Sequence, residues 1–248
     1  MIKAFRGFLV VCCFIVFGIG AVLLRYFVLI FPEYLIRNKE KRLKVCSKIL
    51  RKSWCFFIKL LEFLKIIKLN INDLNAIKNI KNSIIVSTHP SFIDVVIIMS
   101  VIPYTTCFAA EKIKNNIFFK GMADLLFILD SKDIQEWEKS AKNMLDSGFN
   151  ILIFPMGERH KKSEKPKIRK GASLLALNNL KNIEMIKIET SYEFLMKNQN
   201  IYEIEKDPVT YNIQYLGSIN TQKMFQKYPD NITFKKEVTN SIAKTLYE

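Results

Sequence analysis

An uncharged apolar stretch near the N-terminus limits the folds that are open to this chain. It runs from Gly7 to Leu24, and a second apolar string, Tyr26 to Phe31, follows Arg25 and precedes Pro32. As a helix, a stretch of this length can cross a hydrocarbon core of about 30 Å. A signal peptide would have a shorter apolar region and a small-residue cleavage site, so we expect the segment to be retained. Arg25 leaves two arrangements open, a helix that spans the bilayer and one that enters and returns.

A basic segment follows the apolar stretch. Its cationic residues are Arg37, Lys39, Lys41, Arg42, Lys44, Lys48, Arg51 and Lys52. Only Lys3 and Arg6 precede the stretch, so the positive-inside rule places the bulk of the chain on the cytoplasmic side of the membrane. Apolar residues such as Leu43, Leu50 and Trp54 alternate with the charges and predict an amphipathic helix that lies among lipid headgroups.

Composition limits the classes of function. The chain has 248 residues, half of them hydrophobic, and a net charge of +15. This length supports one full-sized domain, and the apolar fraction excludes a disordered chain. No nucleic-acid-binding motif is present, so we interpret the positive surface as a contact for anionic lipid and not for nucleic acid. The five cysteines are scattered without a Cys-x-x-Cys pair, so we expect reduced thiols and no metal site.

From about Ile71 onward, short apolar runs alternate with longer mixed segments, as is typical of strands alternating with helices. The predicted strands are Ser83–Ser87, Thr106–Ala109, Leu126–Asp130, Asn150–Phe154, Met185–Ser191 and Thr210–Leu216. The predicted helices are Asp94–Met99, Ile117–Ala123, Ile134–Ser147, Lys170–Asn178 and Phe234–Tyr247. We therefore expect an α/β fold in which a mixed β-sheet is flanked by helices, with membrane-embedded and amphipathic helices at the N-terminus.

A histidine and an aspartate stand just after the first of these strands. His89 follows the run from Ile84 to Thr88, and Asp94 comes five residues later. Five residues are about 140° apart on a helix, so the two side chains meet only if His89 lies in the turn before the helix. Pro90 disfavours a helical His89, and Ser91 suits the N-cap, which places Asp94 in the first turn. The carboxylate would then hold one imidazole nitrogen and leave the other free as a base.

Interpretations without a catalytic role stay open for Asp94, for His160 and for the nearby lysines. Ser91-x-x-Asp94 before an apolar run also fits a capping box without catalytic meaning. His160, the only other histidine, lies in the lysine-rich stretch from Arg159 to Arg169, which is typical of a surface loop with solvated side chains. Beside a membrane, the lysines of that stretch would instead bind anionic headgroups or an acidic carrier protein.

Two motifs of the sequence belong together: His89 and Asp94, with four residues between them after a hydrophobic strand, and the run from Phe154 to Arg159 after another strand. The first motif is similar to the first signature of the glycerolipid acyltransferase family. The run Phe154-Pro155-Met156-Gly157-Glu158-Arg159 resembles its third signature, Phe-Pro-Glu-Gly-Thr-Arg. Arg169-Lys170-Gly171-Ala172 is similar to the Lys-Gly-Ala that follows the third block, and Tyr215–Ile219 resembles a late strand that ends in glycine.

The resemblance implies a domain division and a reaction. Residues 1–68 would be a membrane-anchoring helical segment, and residues 69–248 an acyltransferase domain. The enzyme would move a fatty acyl group from a thioester of coenzyme A or acyl carrier protein to a hydroxyl of a lysophospholipid or a related lipid-like acceptor. It would need no further cofactor. It would work on the cytoplasmic side of the cell inner membrane, with membrane lipids as partners, and with acyl carrier protein where that is the donor.

The resemblance also implies site residues. They are His89 and Asp94 for catalysis, and Gly157, Glu158, Arg159 and Lys170 for binding the acceptor. His89 would deprotonate the acceptor hydroxyl, and Asp94 would orient the imidazole of His89. Arg159 is the candidate for the acceptor's phosphate because a guanidinium fork matches phosphate oxygens. Gly157 would let the backbone approach the substrate closely.

The chain departs from the family pattern at several positions. Met156 replaces the family's glutamate, Glu158 replaces its threonine, and Ile186–Ile188 lacks the proline of the fourth block. The stretch Ala109–Lys132 matches the second block only loosely. These departures indicate a divergent member whose acceptor need not be lysophosphatidic acid. They also motivate two alternatives, a catalytically silent member that binds lipid or a partner protein, and a basic membrane-surface module for an acidic partner.

Overall fold

The computed structural model describes residues 2–109, 127–129, 133–159 and 167–248, in which helices and strands alternate. The helices are α1 (Ile2–Leu23), α2 (Ile30–Leu35), α3 (Lys39–Phe63), α4 (Leu74–Lys78), α5 (Asp94–Val101), α6 (Ile134–Asp146), α7 (Gly171–Asn179), α8 (Thr221–Lys227) and α9 (Asn231–Tyr247). A π-helical turn, Leu24–Val28, lies between α1 and α2. The strands are β1 (Ile67–Ile71), β2 (Ile84–Ser87), β3 (Thr105–Ala109), β4 (Ile128–Leu129), β5 (Asn150–Ile153), β6 (Ile183–Thr190) and β7 (Val209–Ile219).

The strands form one mixed sheet. Within the described residues it has seven strands in the order β1-β7-β6-β2-β5-β3-β4. All neighbouring pairs are parallel except β6 and β7, which are antiparallel. The central strand β2 pairs with β5 on one side, where Ile84 is opposite Ile151, and with β6 on the other, where Ile84 is opposite Ile183. The predicted α/β fold with a mixed sheet flanked by helices is confirmed.

Most predicted elements are present within one to three residues of their predicted ends. The predicted helix Ile117–Ala123 lies outside the described residues, as does most of the predicted lysine-rich loop, including His160. Three described elements were not predicted: β1, α4 and α8. Both missed helices are short, and β1 follows so soon after α3 that its apolar residues continue the helical pattern.

Polar residues before helices such as α3, α6 and α9 fix where those helices begin. The side chain of Asn38 accepts a hydrogen bond from the Lys41 amide ahead of α3. Asp133 and Asp230 do the same for the first turns of α6 and α9. Such caps satisfy amides that have no partner inside the helix.

The N-terminal helices contain the apolar stretch. Ile2–Leu35 is, within the described part of the chain, the one helical region long and apolar enough to cross a membrane by length and composition. Arg25 is paired with Glu33, with 2.6 Å between Nη1 and Oε1. The ion pair joins the π-helical turn to α2, so the charge of Arg25 is paired within the same helical region.

The core occupies both faces of the sheet. On one face, α1, α3 and α5 cover the sheet, and residues such as Cys13, Trp54 and Ile85 are buried together. On the other face, α6, α7 and α9 pack around residues such as Ile84 and Phe234. The N-terminal helices therefore share one hydrophobic core with the sheet. The domain boundary predicted between residues 68 and 69 falls within β1 and stays a prediction.

Candidate active site

The candidate site begins at the carboxyl end of the central strand β2. Thr88 directly follows this strand, and its Oγ1 donates to the Ile188 carbonyl at 2.8 Å and accepts from the Ile188 amide at 2.7 Å. These two hydrogen bonds to β6 take the place of backbone hydrogen bonds between the strands where β2 ends. The backbone that leads into His89 is therefore fixed at the carboxyl end of β2.

His89 and Asp94 are in contact, as the spacing predicts. The Nδ1 atom of His89 lies 3.0 Å from Oδ2 of Asp94, which is the first residue of α5. The Asp94 side chain is fully buried, whereas 15% of the His89 side chain is exposed. A carboxylate at Nδ1 holds the proton on that nitrogen, so Nε2 is left with its lone pair free. The geometry is that of an oriented general base.

Ser91 takes a different role from the predicted N-cap. The helix begins at Asp94, and the Ser91 amide donates to Asp94 Oδ2 at 2.7 Å while its Oγ donates to Oδ1 at 2.7 Å. The aspartate thus closes the turn before the helix by accepting from it, which is the reciprocal half of a capping box. The structural and the catalytic interpretations of this residue are compatible, because the same carboxylate serves the turn and His89.

Tyr211 extends the network into the core. Its hydroxyl donates to Ser91 Oγ at 2.9 Å, and the residue is fully buried on β7. Burial, and to a lesser extent the negative charge of Asp94, raise the pKa of Tyr211 well above its usual value. The phenol therefore remains a donor, and a chain of hydrogen bonds runs from Tyr211 through Ser91 and Asp94 to His89.

The imidazole of His89 is also held by a ring. Phe154, the first residue after β5, stacks on it with 3.9 Å between ring centroids and 16° between planes. Since β5 is the parallel neighbour of β2, both residues emerge at the same edge of the sheet. The stack and the bond to Asp94 together leave the imidazole little rotational freedom.

Arg159 lies at the same site. Its Nη1 donates to the Leu195 carbonyl at 2.7 Å, and its guanidinium carbon lies 5.7 Å from the centroid of the Phe92 ring. Burial lowers the pKa of Arg159, and the charge of Asp94 opposes that effect. A partly buried guanidinium near a histidine–aspartate pair is suited to binding an anionic group of a substrate.

The other three predicted acceptor-binding residues take different positions. Gly157 has a φ of +76°, and an added Cβ would lie 2.6 Å from the Arg169 guanidinium carbon, so the glycine admits that side chain. Glu158 is exposed and forms an ion pair with Lys197, which lowers its pKa. Lys170 is exposed just before α7, on the N-terminal side of the helix. Their predicted acceptor-binding roles stay predictions.

Several residues of the site were not singled out from the sequence. Phe154 and Arg169 lie inside or beside the motifs, so their neighbourhood was a usable signal. Leu195 contributes only its backbone carbonyl, for which the sequence carries no signal. Within the ranges that the structure describes, no group of three or more His, Cys, Asp or Glu side chains could hold a metal ion.

Known proteins resemble this chain in sequence and in fold. The model of a family described as Acyltransferase matches residues 68–188. The crystal structure of the 1-acyl-sn-glycerophosphate (LPA) acyltransferase PlsC from Thermotoga maritima is similar, with a TM-score of 0.69 and 17% identity over 98% of this chain and 97% of that chain. At this level of identity, the likeness concerns the fold. A search among curated proteins gave no significant match.

Proposed function

We infer that the chain belongs to the glycerolipid acyltransferase family and is an acyltransferase, because the Acyltransferase model matches residues 68–188 and the fold is that of an LPA acyltransferase. We propose that it is a membrane-associated enzyme that moves a fatty acyl group from an acyl thioester, acyl-CoA or acyl-ACP, to a hydroxyl of a lysophospholipid. The observation that carries the proposal is the contact of 3.0 Å between His89 and the buried Asp94, with part of the imidazole still exposed. An intact pair favours an active enzyme over a silent relative.

The reaction follows from the free Nε2 of His89. This nitrogen takes the proton of the acceptor hydroxyl as the oxygen attacks the thioester carbonyl carbon. The tetrahedral intermediate collapses, the carbon–sulfur bond breaks, and the thiolate leaves with the proton that the imidazolium returns. The products are an ester and a free thiol. No covalent acyl-enzyme is needed.

Asp94 supports this proton transfer in two ways. It holds the tautomer in which Nε2 is the acceptor, and its negative charge stabilises the imidazolium that forms. Its own position is fixed by both Ser91 donors, and the Ser91 hydroxyl in turn accepts a hydrogen bond from Tyr211. The base is therefore set in place before the substrate binds, so less ordering is left to the transition state.

Arg159 is the proposed ligand of the acceptor's phosphate. Its hydrogen bond to Leu195 uses Nη1, which leaves other donors of the fork for phosphate oxygens. Phe92 lies beneath the guanidinium and limits where it can turn. Gly157, Glu158 and Lys170 complete the proposed acceptor site. Because Met156 stands where the family has glutamate, we propose that the headgroup bound here differs from that of typical members.

We propose that α1 and α2 insert into the membrane, and we call these two helices the membrane seat. This insertion places the site beside the lipid. Large apolar side chains are exposed along α1 and α2, including Phe5, Phe8 and Phe31. Phe92, three residues after His89, is 42% exposed, and its ring lies 6.3 Å from that of Phe14 on α1. A lipid-embedded acceptor could then reach His89 without crossing water. The charge distribution of the sequence supports a location on the cytoplasmic side of the inner membrane.

An acyl-transfer assay tests the proposal. The purified protein in mixed vesicles is given palmitoyl-CoA or palmitoyl-ACP together with lysophospholipids whose headgroups are phosphate, phosphoglycerol or phosphocholine. We expect thiol release that depends on at least one of these lipids, and an equal amount of diacyl product by mass spectrometry. Thiol release without ester formation, or no turnover with any of them, would reject this substrate class. The comparison between donors identifies which thioester is used.

A further inference from the structure

We propose that the loop between β6 and β7, residues 191–208, transmits the position of α1 to Arg159, and we call this segment the bridge loop. It touches α1 near one end and the candidate site near the other. Its residues that hold Arg159 are positioning residues, since they do not reach the reacting atoms. The inference rests on the proposed acceptor-binding role of Arg159.

At the site, the bridge loop acts through one carbonyl. The Leu195 oxygen accepts from Arg159 Nη1 at 2.7 Å and from the Phe92 amide at 3.2 Å. Leu195 has a φ of +54°, a conformation that side-chain-bearing residues rarely adopt and that surrounding contacts must maintain. Its side chain is buried in the core. The direction of the carbonyl, and with it the position of Arg159, is therefore set by how the loop is docked.

Gln199 closes the turn that contains Leu195. Its Oε1 accepts from the Met196 amide at 3.0 Å, and its Nε2 donates to the Glu193 carbonyl at 3.1 Å. Backbone bonds from Gln199 to Met196 and from Glu203 to Asn200 tighten the following residues. A displacement at residue 202 is therefore passed on through short turns instead of being absorbed by a slack chain.

At its other end, the bridge loop meets α1 in direct backbone contact. An added Cβ at Gly7 would lie 2.4 Å from the Tyr202 carbonyl oxygen, so helix and loop approach with no side chain between them. Arg6 donates from Nε to the Glu205 carbonyl at 3.0 Å and from Nη2 to the Lys65 carbonyl at 2.9 Å. Lys3 forms an ion pair with Glu205. These contacts tie the loop to α1, the first helix of the membrane seat.

The position of α1 in the membrane is thereby coupled to the binding of the acceptor at Arg159. If α1 tilts or withdraws, the Tyr202 end of the loop follows, and the Leu195 carbonyl moves with it. Arg159 then loses the partner that aims it at the site. The chemistry at His89 depends on a separate set of bonds, so the link is expected to change the acceptor KM more than kcat.

Gly7→Ala tests the link, with Gly20→Ala as its matched control. Both changes lie in α1 and alter helix propensity equally, but an added Cβ at Gly20 meets nothing within 4 Å. Gly7→Ala must displace the Tyr202 carbonyl. We expect faster hydrogen exchange at the Phe92 amide and an acceptor KM raised about tenfold, as for the loss of one hydrogen bond to a charged group. The donor KM and kcat should stay within about twofold, and Gly20→Ala should resemble the wild type.

Gln199→Ala is a second test, because it loosens the turn around Leu195 without changing α1. It should reproduce the faster Phe92 exchange and the raised acceptor KM, and Gln199→Glu, which keeps the Oε1 acceptor, should be intermediate. Wild-type exchange at Phe92 in both alanine variants would overturn the link. Faster exchange with an unchanged acceptor KM would overturn the positioning of Arg159 by the loop.

Arg159→Ala separates this inference from the proposed function. An unchanged acceptor KM in that variant would reject the role of Arg159 itself, whatever the loop does. In that event the Phe92 exchange of Gly7→Ala still decides whether α1 and the bridge loop move together. If both Arg159→Ala and Gly7→Ala raise the acceptor KM, the double variant should be no worse than Arg159→Ala alone, because both act on one interaction.

Discussion

At the scale of residues, Asp94 receives donors from three groups while its side chain is fully buried. His89 Nδ1, the Ser91 amide and the Ser91 hydroxyl all lie within 3.0 Å of its oxygens. A buried carboxylate without partners would be costly, and these bonds offset that cost. The same three bonds fix the direction of the imidazole. The contacts that close the turn are thus the same ones that orient the proposed base.

Replacing Tyr211 by Phe removes the donor behind Ser91. We expect kcat to fall about three- to tenfold with little change in either KM, because the turn loses one buried hydrogen bond and the base becomes less well held. Steady-state kinetics with both substrates measures the effect. Tyr215→Phe is the control, since Tyr215 bonds to Glu184 and not to Ser91. Equal losses of kcat in both variants would contradict the role given to Tyr211.

Replacing Arg159 by Lys preserves the charge and removes the fork. The acceptor KM should rise about tenfold, and the donor KM should change much less, because a point charge substitutes poorly for bidentate binding of phosphate. Initial rates measured with each substrate varied in turn give both constants. An equal rise in the two constants would speak against an acceptor site at Arg159.

At the scale of elements, β6 and β7 are the antiparallel pair that carries Tyr215 and Glu184. Burial first, and then the carboxylate of Glu184, raise the pKa of Tyr215 to about 12. The folded state thus favours the neutral phenol more than the unfolded state does, with its pKa near 10. The resulting stabilisation is present below pH 10 and is lost as the pH rises from about 10 to about 12.

Tyr215→Phe should therefore reveal a dependence of stability on pH. The free energy of unfolding of the wild type, measured with denaturant, should exceed that of the variant at pH 8. The difference should shrink between pH 10 and pH 12 as the wild-type phenol ionises. Tyr26→Phe, an exposed tyrosine on the π-helical turn, serves as the control. A difference that grows with pH in this window would contradict the raised pKa of Tyr215.

Elements whose patterns are local could be predicted, and contacts made by the backbone could not. The strands β2, β5, β6 and β7 are apolar runs with turn residues at their ends, and the His89–Asp94 contact followed from spacing and a proline. By contrast, β1 begins four residues after α3, so its alternation merges with the helical pattern. The bond from Arg159 to the Leu195 carbonyl and the close approach of Gly7 to Tyr202 depend on the tertiary path of a loop. No residue type in the sequence predicts that path.

At the scale of the whole molecule, a net charge of +15 accompanies an exposed apolar helix. The two features act on a membrane in different ways. Charge attraction to anionic lipid is screened by salt, with a Debye length of about 10 Å at 0.1 M and about 3 Å at 1 M. Insertion of apolar side chains is not weakened in this way. Together they predict binding with one salt-sensitive and one salt-resistant component.

Vesicle flotation should separate the two components. Raising the salt concentration from 0.05 to 1 M should reduce the bound fraction on vesicles with anionic lipid toward the level on neutral vesicles, but should not abolish binding. Neutral vesicles should show little salt dependence. Complete release at high salt would contradict insertion of the N-terminal helix, and equal binding to both kinds of vesicle at low salt would contradict the charge contribution.

His89 is the proposed base for acyl transfer, and the kcat of His89→Ala measures its contribution. We expect kcat to fall by roughly 10²- to 10⁴-fold, because a positioned general base contributes that much. The thermal unfolding midpoint and vesicle binding should stay close to those of the wild type, and His89→Gln, which fills the space but cannot act as a base, should be equally slow. A wild-type kcat in a folded, membrane-bound His89→Ala protein would contradict the mechanism.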